Sequence, residues 1–321
     1  MNEQSRIMEE LQLKPLAFSS SSNRTQASSR HAFIADDGAI LNVEVFDAGL
    51  PTSAPILLAI HGICESSETI GIQHIVSTAK DRMVKVAVLE LEGHGLSSGV
   101  RGLCPDFQKV LEHVLQFVRH AVPALRGDLD APYFIAGSSF GGVLCIYAAE
   151  NISTDSDAFP SNFRGVVPIC PAVGVDPNVI PPMPIMQCLR LMSYIAPAAQ
   201  TSLTPLEDPT HYNCPSDSQR NFSGHWLLST SKMLLDVTSR QVPKDIKEGK
   251  LTLSSVGAIL LISGDDDNVV PIDSVRLFNI AVKAENSQFM IVRNAGHDLL
   301  FKASSAKKVM NAMFDWIMEN A

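Results

Sequence analysis

Tyr133-Phe134-Ile135-Ala136-Gly137-Ser138-Ser139-Phe140-Gly141-Gly142 is the stretch from which the fold of this chain can be read. An apolar strand runs into Gly-x-Ser-x-Gly, and Gly141 to Glu150 (GGVLCIYAAE) supplies a helix directly behind it. A serine on so sharp a strand-to-helix turn is held with its hydroxyl exposed, which is how a nucleophile is presented. Small residues at Gly137, Gly141 and Gly142 let strand and helix approach closely. The pattern alone is weak, because Gly95-Leu96-Ser97-Ser98-Gly99 matches it too. After Gly99 comes Val-Arg-Gly-Leu-Cys-Pro, which reads as loop. Context therefore selects Ser139 over Ser97.

Working outward, apolar strands alternate with helical segments. His31 to Ala35, the turn Asp36-Asp37-Gly38 and Ala39 to Phe46 read as a hairpin. Pro55 to Ile60 and Val84 to Leu89 are continuous apolar runs, as expected of strands covered on both faces. Tyr133 to Ala136, Gly165 to Cys170, Ala258 to Ser263 and Gln288 to Val292 continue the series. Helices are expected over Glu68 to Ala79, Asp106 to Ala121, Gly141 to Asn151, Ser274 to Ala284 and Ser304 to Glu319. This order predicts an α/β fold: a mostly parallel central sheet, helices on both faces and right-handed crossovers.

One segment breaks the alternation. From Ala172 to about Pro243 no good strand is found. The segment is rich in Pro and Met (VIPPMPIMQCLRLMSYIAP) and holds a further helical stretch, Trp226 to Val237. The expected organisation is a disordered tail over 1–30, a core over 31–171 and 244–321, and an inserted helical cap over 172–243.

A serine hydroxyl needs a base, and the base needs an orienting carboxylate. On this kind of fold the chain order is Ser, then Asp or Glu, then His. The late strand Ile259 to Gly264 is followed by Asp265-Asp266-Asp267-Asn268-Val269-Val270-Pro271. All three aspartates are candidates for the acid, and Asp267, three residues after Gly264 and four before Pro271, is preferred. Of nine histidines, His297 alone lies between the last strand and the last helix, so it is the expected base. The oxyanion of the tetrahedral intermediate needs two backbone N–H donors. Phe140, next after the nucleophile, supplies one. Ile63, in the loop that His61-Gly62 opens, is the expected second.

With these residues in place, the chain resembles the monoacylglycerol lipases and the related plant lysophospholipase and caffeoylshikimate esterase group of α/β-hydrolases. The resemblance runs from about His31 to the C-terminus. It is carried by His61-Gly62-Ile63-Cys64-Glu65-Ser66-Ser67, Gly93-His94-Gly95-Leu96-Ser97-Ser98-Gly99, the Ser139 elbow, Gly264-x-x-Asp267-x-x-Val270-Pro271 and Ala295-Gly296-His297. The cap opening Val179-Ile180-Pro181-Pro182-Met183-Pro184 fits as well. Glu90 and Glu92 depart from the group's pattern, and Phe140 replaces its common Met or Leu; both departures bear on the acyl side of the pocket. The resemblance implies an α/β-hydrolase fold and hydrolysis of monoacylglycerol or lysophospholipid-type esters, without cofactor or metal. A small-molecule carboxylesterase, an acyltransferase and a non-catalytic ligand-binding protein are the alternatives. The acyltransferase-like spacing His31-x4-Asp36 is read as chance.

Composition bounds the partners. Lys and Arg number 25 against 34 Asp and Glu, a net charge of −9, which argues against nucleic acid and gives no general attraction to anionic membranes. The expected partner is a lipid or small ester, with peripheral membrane contact only by docking of the cap. Six scattered cysteines read as reduced packing thiols in a reducing, cytoplasmic setting, with Cys64 and Cys188 the candidates for thiol sensitivity. Residues 1–30 lack the apolar core of a secretory signal, while their Ser and Arg content is compatible with organelle targeting.

Overall fold

The computed structural model describes residues 14–15, 28–47, 49–127, 130–201 and 225–321. Its strands are β1 (Lys14–Pro15), β2 (Ser29–Ile34), β3 (Ile40–Phe46), β4 (Ile56–Ile60), β5 (Lys85–Leu89), β6 (Tyr133–Ser138), β7 (Phe163–Ile169), β8 (Ala258–Gly264) and β9 (Asn286–Val292). They form one sheet in the order β1-β2-β3-β5-β4-β6-β7-β8-β9. β3 is antiparallel to both β2 and β5, and every other pairing is parallel. Every residue of β4, β5, β6 and β8 is buried, the physical reason their sequences read as unbroken apolar runs rather than alternating ones.

Helices cover both faces: α1 (Ile70–Asp81), α2 (Phe107–Arg126), α3 (Phe140–Thr154), α7 (Ile272–Ala281) and α8 (Ala303–Asn320), with α4 (Met183–Ile195), α5 (Leu228–Asp236) and α6 (Val242–Lys247) between β7 and β8. One core cluster packs α2, α3 and α7 against the sheet; the other packs α1 and α8 on the opposite face. α2 starts on Asp106, whose carboxylate accepts the Gln108 and Lys109 N–H groups. It runs past the expected end at Ala121 through Pro123 to Arg126. A proline this near the helix end costs one intrahelical bond in a turn that frays anyway.

Between β7 and β8 the described residues form helices and no strand. Trp226 to Val237 resolves into α5, a π-turn over Val237–Gln241 and α6, so helix runs on to Lys247, beyond the expected return at 244. It is tied down by specific bonds. The Thr230 hydroxyl donates to Gly102 O and accepts the Cys104 N–H. Arg190 pairs with Asp236 at 2.7 Å, and the Tyr147 hydroxyl donates to Asp245 at 2.7 Å, linking α3 to α6. Residues 202–224, including His211, Cys214 and Asn221, lie outside the described residues.

At the N-terminus, β2 begins at Ser29, and Lys14–Pro15 pair with His31 and Ala32, so part of the expected 1–30 tail is in the sheet. The rest of that tail, including Asn23, lies outside the described residues. His31 stands on β2, its ring bonded to the Ser29 hydroxyl, four strands away from β6 in the sheet order. At the usual strand spacing that is roughly 19 Å, too far to act on Ser139.

Candidate active site

β6 delivers the backbone to a strained point. Ser139 has φ 52° and ψ −113°, a region non-glycine residues avoid, and the surroundings enforce it. The Ser139 N–H donates to Ile169 O at 2.9 Å, and the Ser139 carbonyl accepts from Val143 N–H and Ala172 N–H. The turn closes only because its flanks are bare: a Cβ on Gly137 would lie 2.4 Å from Gly141 O, and one on Gly141 would lie 2.3 Å from Ile60 O. Strain of this kind, worth about 1–3 kcal/mol per residue, gathers at functional sites.

Two loops bring the partners. The loop after β8 carries the aspartate run, and Asp265 and Asp266 are exposed while Asp267 is buried. Asp267 Oδ1 accepts the Val269 and Val270 N–H groups at 2.9 and 2.8 Å. Its Oδ2 faces His297 Nδ1 at 2.8 Å, and His297 Nε2 lies 2.9 Å from Ser139 Oγ. The structure therefore brings Ser139, His297 and Asp267 into one continuous hydrogen-bonded chain, while Asp265 and Asp266 stay exposed outside it. Burial opposes the Asp267 charge, but the bond and charge of His297 and the two amides outweigh it and hold the carboxyl below its ordinary value.

The two amides expected to bind an oxyanion flank Ser139 on separate elements. Phe140 is the first residue of α3, so its N–H has no partner inside the helix. Its ring is buried edge-on against Phe107 at 6.2 Å. Ile63 follows β4 in the His61-Gly62 loop, with Cys64 beyond it at φ 68°. Glu65 braces this loop. Its N–H donates to Gly62 O, and its carboxylate lies so close that a Cβ on Gly62 would meet Oε1 at 2.3 Å. Burial pushes the Glu65 carboxyl up to about 7, against the charge of His297, the Gly62 amide and the Thr69 hydroxyl, and with the charge of Asp298. The sequence signal that marks Glu65 is its place in His61-Gly62-x-x-Glu65.

Other residues singled out in the sequence serve the frame. Glu90 is wholly buried, and its carboxylate accepts from Ser67 N–H and Oγ–H, Asn42 Nδ2 and Leu96 N–H. It ties β3 and the loop after β4 to its own loop. It also explains Gly95, where a Cβ would lie 2.0 Å from the Glu90 carboxyl carbon. Glu92 likewise turns to Lys109, at 2.7 Å. Ser97 donates to Glu90 O and accepts the Asn42 N–H, so the second Gly-x-Ser-x-Gly is a loop brace. Burial pushes the Cys64 thiol far up, with Glu65 and Cys104 adding to it, which leaves it a poor nucleophile. Cys188 is exposed.

Two groups of potential metal ligands occur among the described residues, and neither fits a metal. In Cys170, Asp267 and His297 the histidine and carboxylate are already bonded to each other, and burial keeps the Cys170 thiol protonated. In Asp37, Glu92 and His113 the Lys109 ammonium already bridges both carboxylates, at 3.0 and 2.7 Å.

A family model described as serine aminopeptidase, S33 (Hydrolase_4) matches residues 52–303, a span that holds the whole Ser139–His297–Asp267 chain. The protein belongs to this family. Monoglyceride lipase of Mus musculus is 30% identical over 105 residues, 33% of this chain and 31% of that protein. An abhydrolase domain-containing protein of Dictyostelium discoideum is 36% identical over 88 residues, 27% of this chain and 8% of that protein. The match thus spans less than a third of the length of these curated relatives. Among solved structures, a soluble variant of the Saccharomyces cerevisiae monoglyceride lipase with a substrate analog aligns over 95% of this chain and 100% of that one, at 15% identity and TM-score 0.70. The Paleococcus ferrophilus monoacylglycerol lipase aligns over 88% and 99%, at 20% identity and TM-score 0.63. The fold is an α/β-hydrolase, and the sequence likeness is to monoglyceride lipases.

The buried histidines behind the loop make stability depend on pH. The His61 and His94 rings lie 5.3 Å apart, tilted by 48°. Burial holds their pKa values down to about 4 and about 3, the Gly62 carbonyl opposing this at His61 and the His61 charge reinforcing it at His94. From pH 6.5 to 4.5 the unfolded chain binds a proton at each, the native chain at neither; Glu65, with its raised pKa, binds one more in the native state. The native state is then short by about one proton, so stability falls as pH falls, by at most about 1.4 kcal/mol per pH unit from these groups. Thermal unfolding of wild type between pH 7 and 4.5 should show this slope, and His94→Asn should flatten it; an unchanged slope in the variant contradicts the account.

Proposed function

We propose that this chain is a serine ester hydrolase that cleaves monoacylglycerol or lysophospholipid-type acyl esters through an acyl-enzyme intermediate. The observation that carries the reading is the single hydrogen-bonded line from Ser139 Oγ through His297 to Asp267, set on a strained elbow. His297 Nε2 takes the Ser139 proton as Oγ attacks the ester carbonyl. The oxyanion forms against the Ile63 and Phe140 amides. His297 then gives the proton to the leaving alcohol, leaving the acyl group on Ser139. Water then attacks the acyl carbon as its proton passes to His297; the bond to Oγ breaks, His297 returns that proton to Ser139 Oγ, and the fatty acid leaves. Asp267 stays ionised throughout and holds the imidazole in the tautomer with the proton on Nδ1.

Two features support a long acyl chain as the substrate: the sequence likeness to monoglyceride lipases and the helical segment between β7 and β8, read as a cap. On that segment α4 exposes Met183, Ile185, Leu191, Met192, Tyr194 and Ile195, an apolar surface suited to approaching a substrate dissolved in lipid. No helix among the described residues is long and apolar enough to cross a membrane. Burying each further methylene is worth about 0.8 kcal/mol, so kcat/KM should rise roughly fourfold per methylene until the acyl site is full. Assays of monoacylglycerols of increasing chain length check this. Preference for acetyl or phenolic esters would assign the chain to the carboxylesterases instead.

A further inference from the structure

β9 ends the sheet, and among the described residues nothing pairs with its outer side. The Asn286 N–H donates to Gly257 O, and the Val292 carbonyl accepts the Asp265 N–H. Backbone groups alternate in direction along a strand, so Asn286, Gln288, Met290 and Val292 spend theirs on β8, while Ser287, Phe289 and Ile291 present theirs outward. Exposed edges are ordinarily guarded by charge, proline or a bulge. β9 has none of these: its residues, NSQFMIV, are uncharged, and its register with β8 is unbroken. Charge appears just beyond each end, at Glu285 and Arg293. Both are exposed, and neither is ion-paired with a described residue.

We propose that β9 is the pairing edge for a second copy of this chain, joined antiparallel about a two-fold axis at Phe289. This register uses the outward groups of all three residues. Phe289 faces its own counterpart, and Ser287 faces Ile291 of the second copy, giving roughly six inter-chain backbone bonds. The same register sets Glu285 opposite Arg293 of the second copy at both ends of the ribbon. No other two-fold centre within β9 aligns these charges. An axis through the sheet also keeps both copies of α7 on one face. Phe289 packs in the same cluster as Val275 and Phe278 of α7, so Ile291, two residues on, faces that side as well. There Leu277 and Ile280 stand 65% and 78% exposed, and pairing sets the two copies of this apolar surface on the same side of the joined sheet. An isologous contact demands this self-complementarity: backbone pattern and charge agree on one register.

Sedimentation equilibrium of the full chain over the micromolar range tests this, with circular dichroism confirming that each variant is folded. Wild type should sediment as a dimer. Leu277→Lys with Ile280→Lys, both at exposed positions, should shift it to monomer. Glu285→Arg and Arg293→Glu, each alone, place like charges opposite each other twice and should weaken the dimer about tenfold. The double variant restores the pairs in reverse and should recover wild-type association. A wild type that stays monomeric, a dimer indifferent to the lysines, or a double variant no better than the singles each overturns the proposal.

Discussion

Ser139→Ala is expected to lower ester hydrolysis by about 10⁴–10⁶-fold, with the fold intact. Removing one member of a cooperating triad costs nearly what removing all costs, and what survives comes from substrate binding and the oxyanion amides. Stability should change little, because among the described residues the Ser139 side chain bonds to His297 Nε2 alone, and the strained backbone is held by main-chain bonds to Ile169, Val143 and Ala172 that alanine keeps. Ser97→Ala is the informative control. It deletes a hydroxyl bonded to Glu90 O and Asn42 N, so it should cost about 1–3 kcal/mol of stability and leave turnover per folded molecule unchanged. Hydrolysis by purified Ser139→Ala within tenfold of wild type contradicts the assignment.

Asp267→Asn should be nearly as severe, about 10⁴-fold in kcat, and the geometry says why. Two backbone N–H groups point at Oδ1, so an asparagine must place its carbonyl oxygen there. Its NH₂ then faces His297 Nδ1 at the position Oδ2 occupies now. A donor in that place forces the imidazole proton onto Nε2, where it meets the Ser139 hydroxyl and can no longer accept its proton. The loss should appear in kcat rather than KM. Asp265→Asn and Asp266→Asn, on exposed turn positions, should leave kcat close to wild type. If Asp265→Asn or Asp266→Asn is the damaging change, the acid has been placed on the wrong residue.

The sequence was most legible where burial forces a simple pattern. β4, β5 and β8 are covered on both faces, and their apolar runs mark them with ends shifted by a residue or two. Ser139 and His297 were legible because each stands at a defined point of the strand–helix alternation. Asp267 was harder: three adjacent aspartates share one loop, and only the backbone path decides which turns inward to the Val269 and Val270 amides. Less legible still was the work of Glu90, whose partners Asn42, Ser67 and Leu96 lie as far as 48 residues away in the chain. The extension of α2 through Pro123 and the run of α5 into α6 through a π-turn were missed for a related reason. Both depend on tertiary packing that overrides the local breaker signal.

The central claim is that Ser139 is the acyl-accepting nucleophile. Treating the folded chain with a fluorophosphonate and locating the adduct by peptide mass spectrometry tests it most directly. The account predicts one phosphonylated serine, Ser139, and no adduct in Ser139→Ala; a folded wild type that stays unlabelled, or carries the adduct on Ser97, contradicts it.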